Sequence, residues 1–270
     1  MPFTTNKGVR LYWEEQGAGS PILLVMGHRY SSALWYPAWD ALSATHRVIR
    51  FDNRGTGRTQ SATGFAVADM ADDALAVLNA AGVQRAHIYG VSMGGLIVED
   101  IAIRHPERVL SMIVGCSGML TEDKPRAPKL LRALYFLPPW FLAWLMRKAP
   151  HGYGSAAPPD LIAHDKAVVE RDPMSMRGVR AQQAAIQKYR VSVDEIRALG
   201  MPALVLHGDE DRTVPYAYGV ELAETLPNAT FVPLPGAGHN YLIAHQDTAN
   251  AAVLGFLDGV DATGSGGGPI

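Results

Sequence analysis

Three separate segments of the sequence carry residue types that together could perform acyl transfer. Ser92 lies in the segment Gly90–Gly94, between an apolar run that predicts a strand and a segment with helical spacing. A serine on so sharp a strand-to-helix turn leaves no room for side chains two residues before and after it, which explains the two glycines. The helix N-terminus behind it also favours a developing negative charge. We therefore predict that Ser92 is a nucleophile.

A serine needs a base to become nucleophilic and a carboxylate to orient that base. His239 follows a late predicted strand on a glycine-flanked hinge, and an acidic loop at 209–211 follows the strand before it. The other histidines considered fall on predicted strands, at a helix end or in the middle of the chain, where a structural role is expected: His87, His207, His105, His151 and His164. The residues thus indicate Ser92, His239 and one of three carboxylates, Asp209, Glu210 or Asp211.

Backbone N–H groups can supply the remaining part of such a site. Met93 follows the nucleophile at the start of a helix, and the predicted strand Ile22–Met26 runs into a turn at Gly27 and His28. We expect an oxyanion hole formed by the backbone N–H groups of His28 and Met93, without the His28 imidazole.

Short apolar runs that predict strands alternate with segments of helical spacing over most of the chain. An edge strand is expected at Lys7–Gln16, and the predicted helices include Ala33–Ala44, Gly95–Ile103 and Thr248–Val260. This alternation predicts an α/β fold with a mostly parallel central sheet and helices on both faces.

The alternation divides the chain into three parts. Residues 1–116 and 191–260 are predicted to form the core, and the proline-rich stretch 117–190 is predicted to be an inserted subdomain. Residues 261–270 end in a linker-like Gly264–Ile270 segment and are expected to form a flexible tail.

Composition excludes several classes of protein. With 270 residues, 48% hydrophobic and 19% charged, the chain is too apolar for a disordered protein. Its 24 Lys and Arg against 26 Asp and Glu leave no basic surplus for nucleic acid.

The cysteine content and the apolar stretches of the sequence predict the cellular location of the protein. The single cysteine, Cys116, allows neither an intrachain disulfide nor a thiolate-rich metal site, which predicts a reducing, cytoplasmic location. Met1–Trp13 lacks a secretory signal pattern. Leu130–Met146 is the most apolar stretch, but Arg132 and two prolines interrupt it, so no membrane span is predicted.

Four blocks of the sequence resemble the motifs of one family. They are Leu23–His28, Phe51–Thr59, Gly90–Gly95, and the pair His207–Pro215 with Gly236–His239. From Lys7 to Leu257 the chain resembles single-domain α/β hydrolases of the esterase, lactonase and cofactor-free perhydrolase group, in which the triad residues follow the order Ser, Asp, His. The resemblance implies the α/β-hydrolase fold and no metal or organic cofactor.

The resemblance also selects the acid and interprets two neighbouring features. It places the acid four residues after the strand-ending histidine, which gives Asp211; Asp209 is then expected to stabilise the loop and Glu210 to face solvent. Asp52 and Arg54 are expected to be a structural polar pair. Family members usually carry His before Gly27, whereas Met26 stands here, a change that should leave the oxyanion hole intact.

In this family the insertion at 117–190 would be a helical cap that roofs the active site. Its large apolar side chains favour a small to medium hydrophobic ester or lactone as substrate: Tyr135, Phe136, Trp140, Phe141, Trp144, Leu145 and Met146. Contact of this stretch with a lipid surface, and a homodimer through it, stay open.

The leading hypothesis is a serine hydrolase that cleaves a carboxylic ester through an acyl-enzyme on Ser92. Two alternatives stay open. One is C–C bond hydrolysis of a β-diketone or dienoate on the same scaffold, and the other is a non-catalytic small-molecule receptor that keeps the triad. The physiological substrate, its stereochemistry and the oligomeric state do not follow from the sequence.

Overall fold

A twisted sheet forms the centre of the protein. The computed structural model describes residues 3–60, 63–124, 137–138, 141, 152–172 and 175–264. Within these residues the sheet has eight strands: β1 Phe3–Asn6, β2 Val9–Gln16, β3 Pro21–Val25, β4 Arg47–Phe51, β5 Ala86–Val91, β6 Val109–Gly115, β7 Ala203–Gly208 and β8 Ala229–Leu234.

The strand order is β1-β2-β4-β3-β5-β6-β7-β8. The pairs β1–β2 and β2–β4 are antiparallel, and every later pair is parallel. This confirms the predicted mostly parallel sheet and the α/β-hydrolase fold that the resemblance implied. Because the carboxyl ends of parallel strands meet at one edge, the loops after β3, β5, β7 and β8 gather there.

The antiparallel edge differs from its prediction. Lys7 and Gly8 have φ angles of 45° and 78° and form a tight turn between β1 and β2. Two successive positive φ angles are typical of the type I′ hairpin turn, in which glycine is favoured. The strand predicted from Lys7 therefore begins at Val9, and β1, which the sequence analysis did not predict, pairs in front of it.

Helices cover both faces of the sheet. Among the described residues they are, in chain order, α1 Tyr36–Ser43, α2 Val67–Ala80, α3 Met93–Arg104, α4 Pro159–Arg171, α5 Met176–Lys188, α6 Val193–Arg197, α7 Tyr216–Thr225, α8 Tyr241–Ala244 and α9 Gln246–Gly264. The predicted helix Ala33–Ala44 is split into a 3-10 turn at Ser32–Trp35 and α1, which has a proline in its first turn. Proline suits that position because the first helical N–H groups have no intrahelical acceptor.

The core consists of two layers, one on each face. Side chains of β3 alternate between them: Ile22 and Leu24 pack with α1 and α9, whereas Leu23 and Val25 pack with α2 and α3. All four are fully buried, as expected for a parallel strand covered on both sides. This layering fixes the strand ends that carry the candidate site.

The segment between β6 and β7 holds the predicted insertion. Its described part contains α4 and α5, while α6 leads back to the sheet. Most of the apolar residues predicted to line a pocket lie outside the described residues: Tyr135, Phe136, Trp140, Trp144, Leu145 and Met146. In the part of the chain that is described, every helix is too short or too polar to cross a bilayer.

The last helix extends further than predicted. α9 continues through residues 261–264, where the flexible tail was expected to begin. Asp261 on this helix accepts a hydrogen bond from His87 Nε2 at 3.0 Å, which ties the end of α9 to the start of β5. Residues 265–270 lie outside the described residues.

Candidate active site

Ser92 occupies the sharp turn between β5 and α3. Its φ and ψ angles are 56° and −120°, and α3 begins at the next residue, two positions earlier than predicted. A Cβ atom on Gly90 would lie 2.2 Å from the carbonyl oxygen of Gly94, and one on Gly94 would lie 2.1 Å from that of Val25. The turn is therefore possible only with glycine at both positions, and it holds the Ser92 hydroxyl above the sheet.

His239 lies on the loop after β8 and contacts both partners assigned from the sequence. Its Nε2 lies 2.9 Å from Ser92 Oγ, and its Nδ1 lies 2.7 Å from Asp211 Oδ2. A carboxylate can only accept, so Nδ1 carries the proton and Nε2 is left to accept the Ser92 hydroxyl hydrogen. The structure thus brings together the three residues in the arrangement of a nucleophile, a base and an orienting acid.

Asp211 is held in place by several donors. Its Oδ1 accepts hydrogen bonds from the backbone N–H groups of Thr213 at 2.7 Å and Val214 at 3.0 Å. Burial alone would raise the pKa of Asp211, but hydrogen bonds from His207 and His239 outweigh it and hold the pKa well below its ordinary value. The carboxylate is therefore charged across the neutral pH range.

His207 takes part in the site although it was assigned a structural role. It lies next to the last residue of β7, and its Nε2 donates to the Val214 carbonyl at 3.1 Å while lying 3.3 Å from Asp211 Oδ2. Its fully buried ring and that of His239 both lie against Asp211 Oδ2. The four-residue spacing between His207 and Asp211 was the signal in the sequence that links the two.

The same region contains a group of potential metal ligands. Among the described residues, Cys116, His207 and Asp211 place ligand atoms within 4.8 Å of one another. Burial raises the pKa of the Cys116 thiol, which disfavours the thiolate that a metal would need. Asp211 Oδ2 already lies 2.7 Å from His239 Nδ1 and 3.3 Å from His207 Nε2. We therefore assign this group to the hydrogen-bond network around the acid.

The turn after β3 approaches Ser92 closely, as an oxyanion hole requires. A Cβ atom on Gly27 would lie 3.3 Å from Ser92 Cβ and 3.9 Å from Ser92 Oγ. The neighbouring His28 directs its ring away toward the insertion, where Nε2 donates to the Val179 carbonyl at 2.9 Å. Burial lowers the pKa of His28 to about 4, so the ring is neutral at pH 7. Met93 begins α3, whose first N–H groups have no acceptor within the helix.

The turn after β4 is hydrogen-bonded to the turn after β3. Asp52, predicted to pair with Arg54, instead accepts from Ser32 N at 2.8 Å and from Arg58 N at 2.7 Å. Arg54 binds Asp73 through two hydrogen bonds of 2.6 Å. Both residues are structural, as expected, but they have different partners.

The insertion contacts the loop that carries His239. Asn240 N donates to the Gly152 carbonyl at 2.8 Å, Gly238 N donates to the Tyr153 carbonyl at 3.0 Å, and Ala156 N donates to the Gly236 carbonyl at 2.9 Å. We call residues 152–156 the strap. It runs alongside the His239 loop with backbone hydrogen bonds at three positions.

Asp165 on α4 anchors the same region from a buried position. Its carboxylate accepts hydrogen bonds from Tyr36 at 2.9 Å, Tyr153 at 2.8 Å and Asn240 at 3.0 Å. Asn240 is the residue after His239, so this carboxylate joins α1, the strap and the His239 loop. The sequence held no signal for it, because two of its three partners, Tyr36 and Asn240, come from distant parts of the chain.

Known proteins are similar to this chain over most of its length. The family model described as serine aminopeptidase, S33 (Hydrolase_4) matches residues 22–246. The chain is 30% identical over 273 residues to RutD of Azorhizobium caulinodans, named as a carbamate hydrolase, covering 97% of this chain and all of that protein.

Two further proteins are similar over most of the chain. BpoC of Mycobacterium tuberculosis, named as a non-heme bromoperoxidase, is 30% identical, with 94% of this chain and all of that protein covered. A thermophilic esterase from Thermogutta terrifontis superposes with a TM-score of 0.84 at 28% identity, covering 96% of this chain and 97% of that one.

Proposed function

Because the chain belongs to the α/β-hydrolase family, we propose that it is a serine hydrolase that cleaves carboxylic esters, including lactones, of small to medium hydrophobic substrates. The observation that carries the proposal is the continuous chain of contacts from Ser92 Oγ through His239 to Asp211, at 2.9 Å and 2.7 Å. Such a chain is what converts a serine hydroxyl into a nucleophile.

The proposed reaction has two halves. Ser92 Oγ attacks the ester carbonyl as His239 Nε2 accepts the hydroxyl proton, and the negative oxygen is held by the N–H groups of His28 and Met93. The tetrahedral intermediate collapses, His239 returns the proton to the departing alcohol, and an acyl-enzyme remains on Ser92. Water then attacks the acyl carbon with His239 again as base, releasing the acid and restoring the serine.

The assignment of roles follows from charge and geometry. Asp211 stays ionised because its pKa is depressed, so it stabilises the imidazolium that His239 becomes in each half-reaction. The positive φ of Ser92 keeps the hydroxyl at the sheet edge where His239 arrives. The names of the relatives support acyl chemistry, since the Thermogutta terrifontis protein is an esterase and RutD is named for a carbamate, which also contains a carbonyl bonded to an ester-type oxygen.

The experiment that tests the proposal measures the nucleophile first and the substrate second. A fluorophosphonate should modify the wild type once per chain, at Ser92, and should not modify Ser92→Ala. Ser192→Ala, in which an exposed serine at the start of α6 is removed, is the matched control and should react as the wild type does.

A panel of p-nitrophenyl esters of increasing acyl length, with a matched lactone and carbamate, then defines the substrate class. Turnover of the esters that disappears in Ser92→Ala supports the proposal. Turnover of a ring-fission diketone without ester turnover would replace it with C–C bond hydrolysis. Absence of labelling at Ser92 would favour a receptor.

A further inference from the structure

The oxyanion turn, residues 27–32, is held by the insertion at three points. His28 Nε2 donates to the Val179 carbonyl at 2.9 Å, and Arg29 N donates to Gln182 Oε1 at 2.8 Å. Ser31 N donates to Asp172 Oδ2 at 2.9 Å. Two of these three contacts come from α5, so this helix packs directly on the turn that carries the proposed donor.

The contact to Arg29 addresses the strained residue of the turn. Arg29 has a φ angle of 75°, in the left-handed region that residues with a side chain rarely adopt. Such a conformation persists only where its surroundings fix it. The Arg29 N–H belongs to the peptide unit that follows His28, so its acceptor fixes the orientation of the peptide next to the proposed oxyanion donor.

Both polar atoms of the Gln182 amide are hydrogen-bonded, so the side chain can hold that orientation. Its side chain is fully buried, and its Nε2 donates to the Arg54 carbonyl at 3.1 Å while Oε1 accepts from Arg29. The direction of the amide is fixed, because one partner is an N–H group and the other is a carbonyl. Arg54 is itself bound to Asp73 by two hydrogen bonds, which anchor the turn after β4. The Gln182 amide therefore links this turn to the oxyanion turn.

Close packing of two glycines makes this span possible. A Cβ atom on Gly178 would lie 1.9 Å from the carbonyl oxygen of Gly55, so α5 can approach the turn after β4 only with glycine there. Gln182 lies one helical turn further along α5 and reaches across the gap between the two turns.

We propose that Gln182 is a positioning residue for the oxyanion hole, an inference that rests on the proposed function. Its amide holds the Arg29 peptide in the left-handed conformation and thereby keeps the His28 N–H directed at the carbonyl oxygen that becomes negative. The insertion thus contributes to rate as well as to substrate selection. Removing the amide should weaken transition-state binding more than substrate binding.

The test compares two adjacent glutamines on α5. Gln182→Met keeps the length of the side chain but removes both hydrogen bonds, and Gln183→Met changes a neighbour that makes no side-chain hydrogen bond to any described residue. For a p-nitrophenyl ester we expect Gln182→Met to lower kcat by about 10- to 100-fold, less than the loss of an entire oxyanion donor, with KM within about twofold. Gln183→Met should match the wild type.

Two further readouts separate positioning from general loss of structure. Binding of an alkyl boronic acid, which forms a tetrahedral adduct on the serine, should weaken in parallel with kcat, whereas binding of the product acid should not. Gln182→Glu should recover most of the rate, because a buried carboxyl tends to be protonated and offers one acceptor and one donor. If Gln182→Met does not fold, Gln182→Asn, too short to reach Arg29, takes its place.

The possible results separate a failure of the proposed function from a failure of the role of Gln182. A wild type that a fluorophosphonate does not label contradicts the proposed function itself. A labelled wild type with Gln182→Met equal to Gln183→Met in kcat and in boronic acid affinity contradicts only the role of Gln182. Failure of Gln182→Glu to recover any of the kcat lost in Gln182→Met would also contradict the role of Gln182.

Discussion

The carboxylate of Glu210 accepts two hydrogen bonds from Ser155, one from the backbone N–H at 2.7 Å and one from the hydroxyl at 2.6 Å. Glu210 is exposed, as expected, but it also attaches the acidic loop to the strap. Since the strap is hydrogen-bonded to the His239 loop as well, one segment of the insertion connects the loops that carry His239 and Asp211.

The acidic loop offers a direct comparison of neighbouring carboxylates. Asp211→Asn should lower kcat by about 10⁴-fold, because the amide no longer fixes the His239 tautomer or stabilises its charged form. Asp209→Asn should cost far less, since among the described residues the Asp209 side chain accepts a hydrogen bond only from Gly236 N, at 2.6 Å, an interaction that an amide oxygen can keep. Steady-state kinetics on an ester, with melting temperatures to verify folding, measures both. Near-normal turnover of Asp211→Asn with loss in Asp209→Asn would move the acid to position 209.

The glycines of the Ser92 turn should be far more sensitive to substitution than glycines elsewhere. Gly90→Ala places a Cβ atom 2.2 Å from a backbone oxygen and should destabilise the fold by about 3 kcal/mol or more. Gly255→Ala on α9 meets no atom within 4 Å and should stabilise the protein by about 0.5 to 1 kcal/mol. Urea unfolding of the pair measures the difference. Equal stabilities would contradict the crowding at Gly90.

A buried acid on α3 should make stability fall with rising pH. Glu99 is fully buried, neither carboxyl oxygen has a hydrogen-bond partner among the described residues, and burial raises its pKa to about 8. Between its unfolded value of 4.5 and about 8 the unfolded chain binds fewer protons than the folded one, so stability decreases by about 1.4 kcal/mol per pH unit.

The variant Glu99→Gln removes this titration. Its melting temperature should therefore rise relative to the wild type as pH increases from 5 to 8, whereas Glu224→Gln, an exposed residue on α7, should track the wild type throughout. Parallel profiles for Glu99→Gln and the wild type would show that Glu99 is ionised in the folded protein.

The buried carboxylate of Asp165 should be important for the stability of the insertion. In Asp165→Asn one of the two oxygens becomes an N–H donor that faces other donors, so about 1 to 3 kcal/mol should be lost. Asp258→Asn on the exposed side of α9 is the control. Urea denaturation measures the loss, and an unchanged midpoint for Asp165→Asn would mean that its three partners find other acceptors.

The fold and the positions of Ser92 and His239 were predictable because their signals are local, whereas the choice of Asp211 among three carboxylates came from the family resemblance. A run of apolar residues, two glycines around a serine and a histidine on a glycine hinge each lie within a few positions. Gln182 and Asp165 could not be predicted, since their roles arise only when distant segments meet. The hairpin at Lys7 and Gly8 was missed for another reason: the turn was taken for the beginning of the strand.

The insertion leaves the sheet after β6 and returns before β7, two strands that pair directly with each other. An engineer could exchange such a segment for that of another hydrolase without breaking a single strand pairing, in the hope of transferring substrate preference. Because the strap, Asp165 and Gln182 leave with it, the hybrid would lose the contacts that hold the His239 loop and the oxyanion turn. A productive graft must therefore carry over these positions, together with Asp172 and Gly178, from this chain.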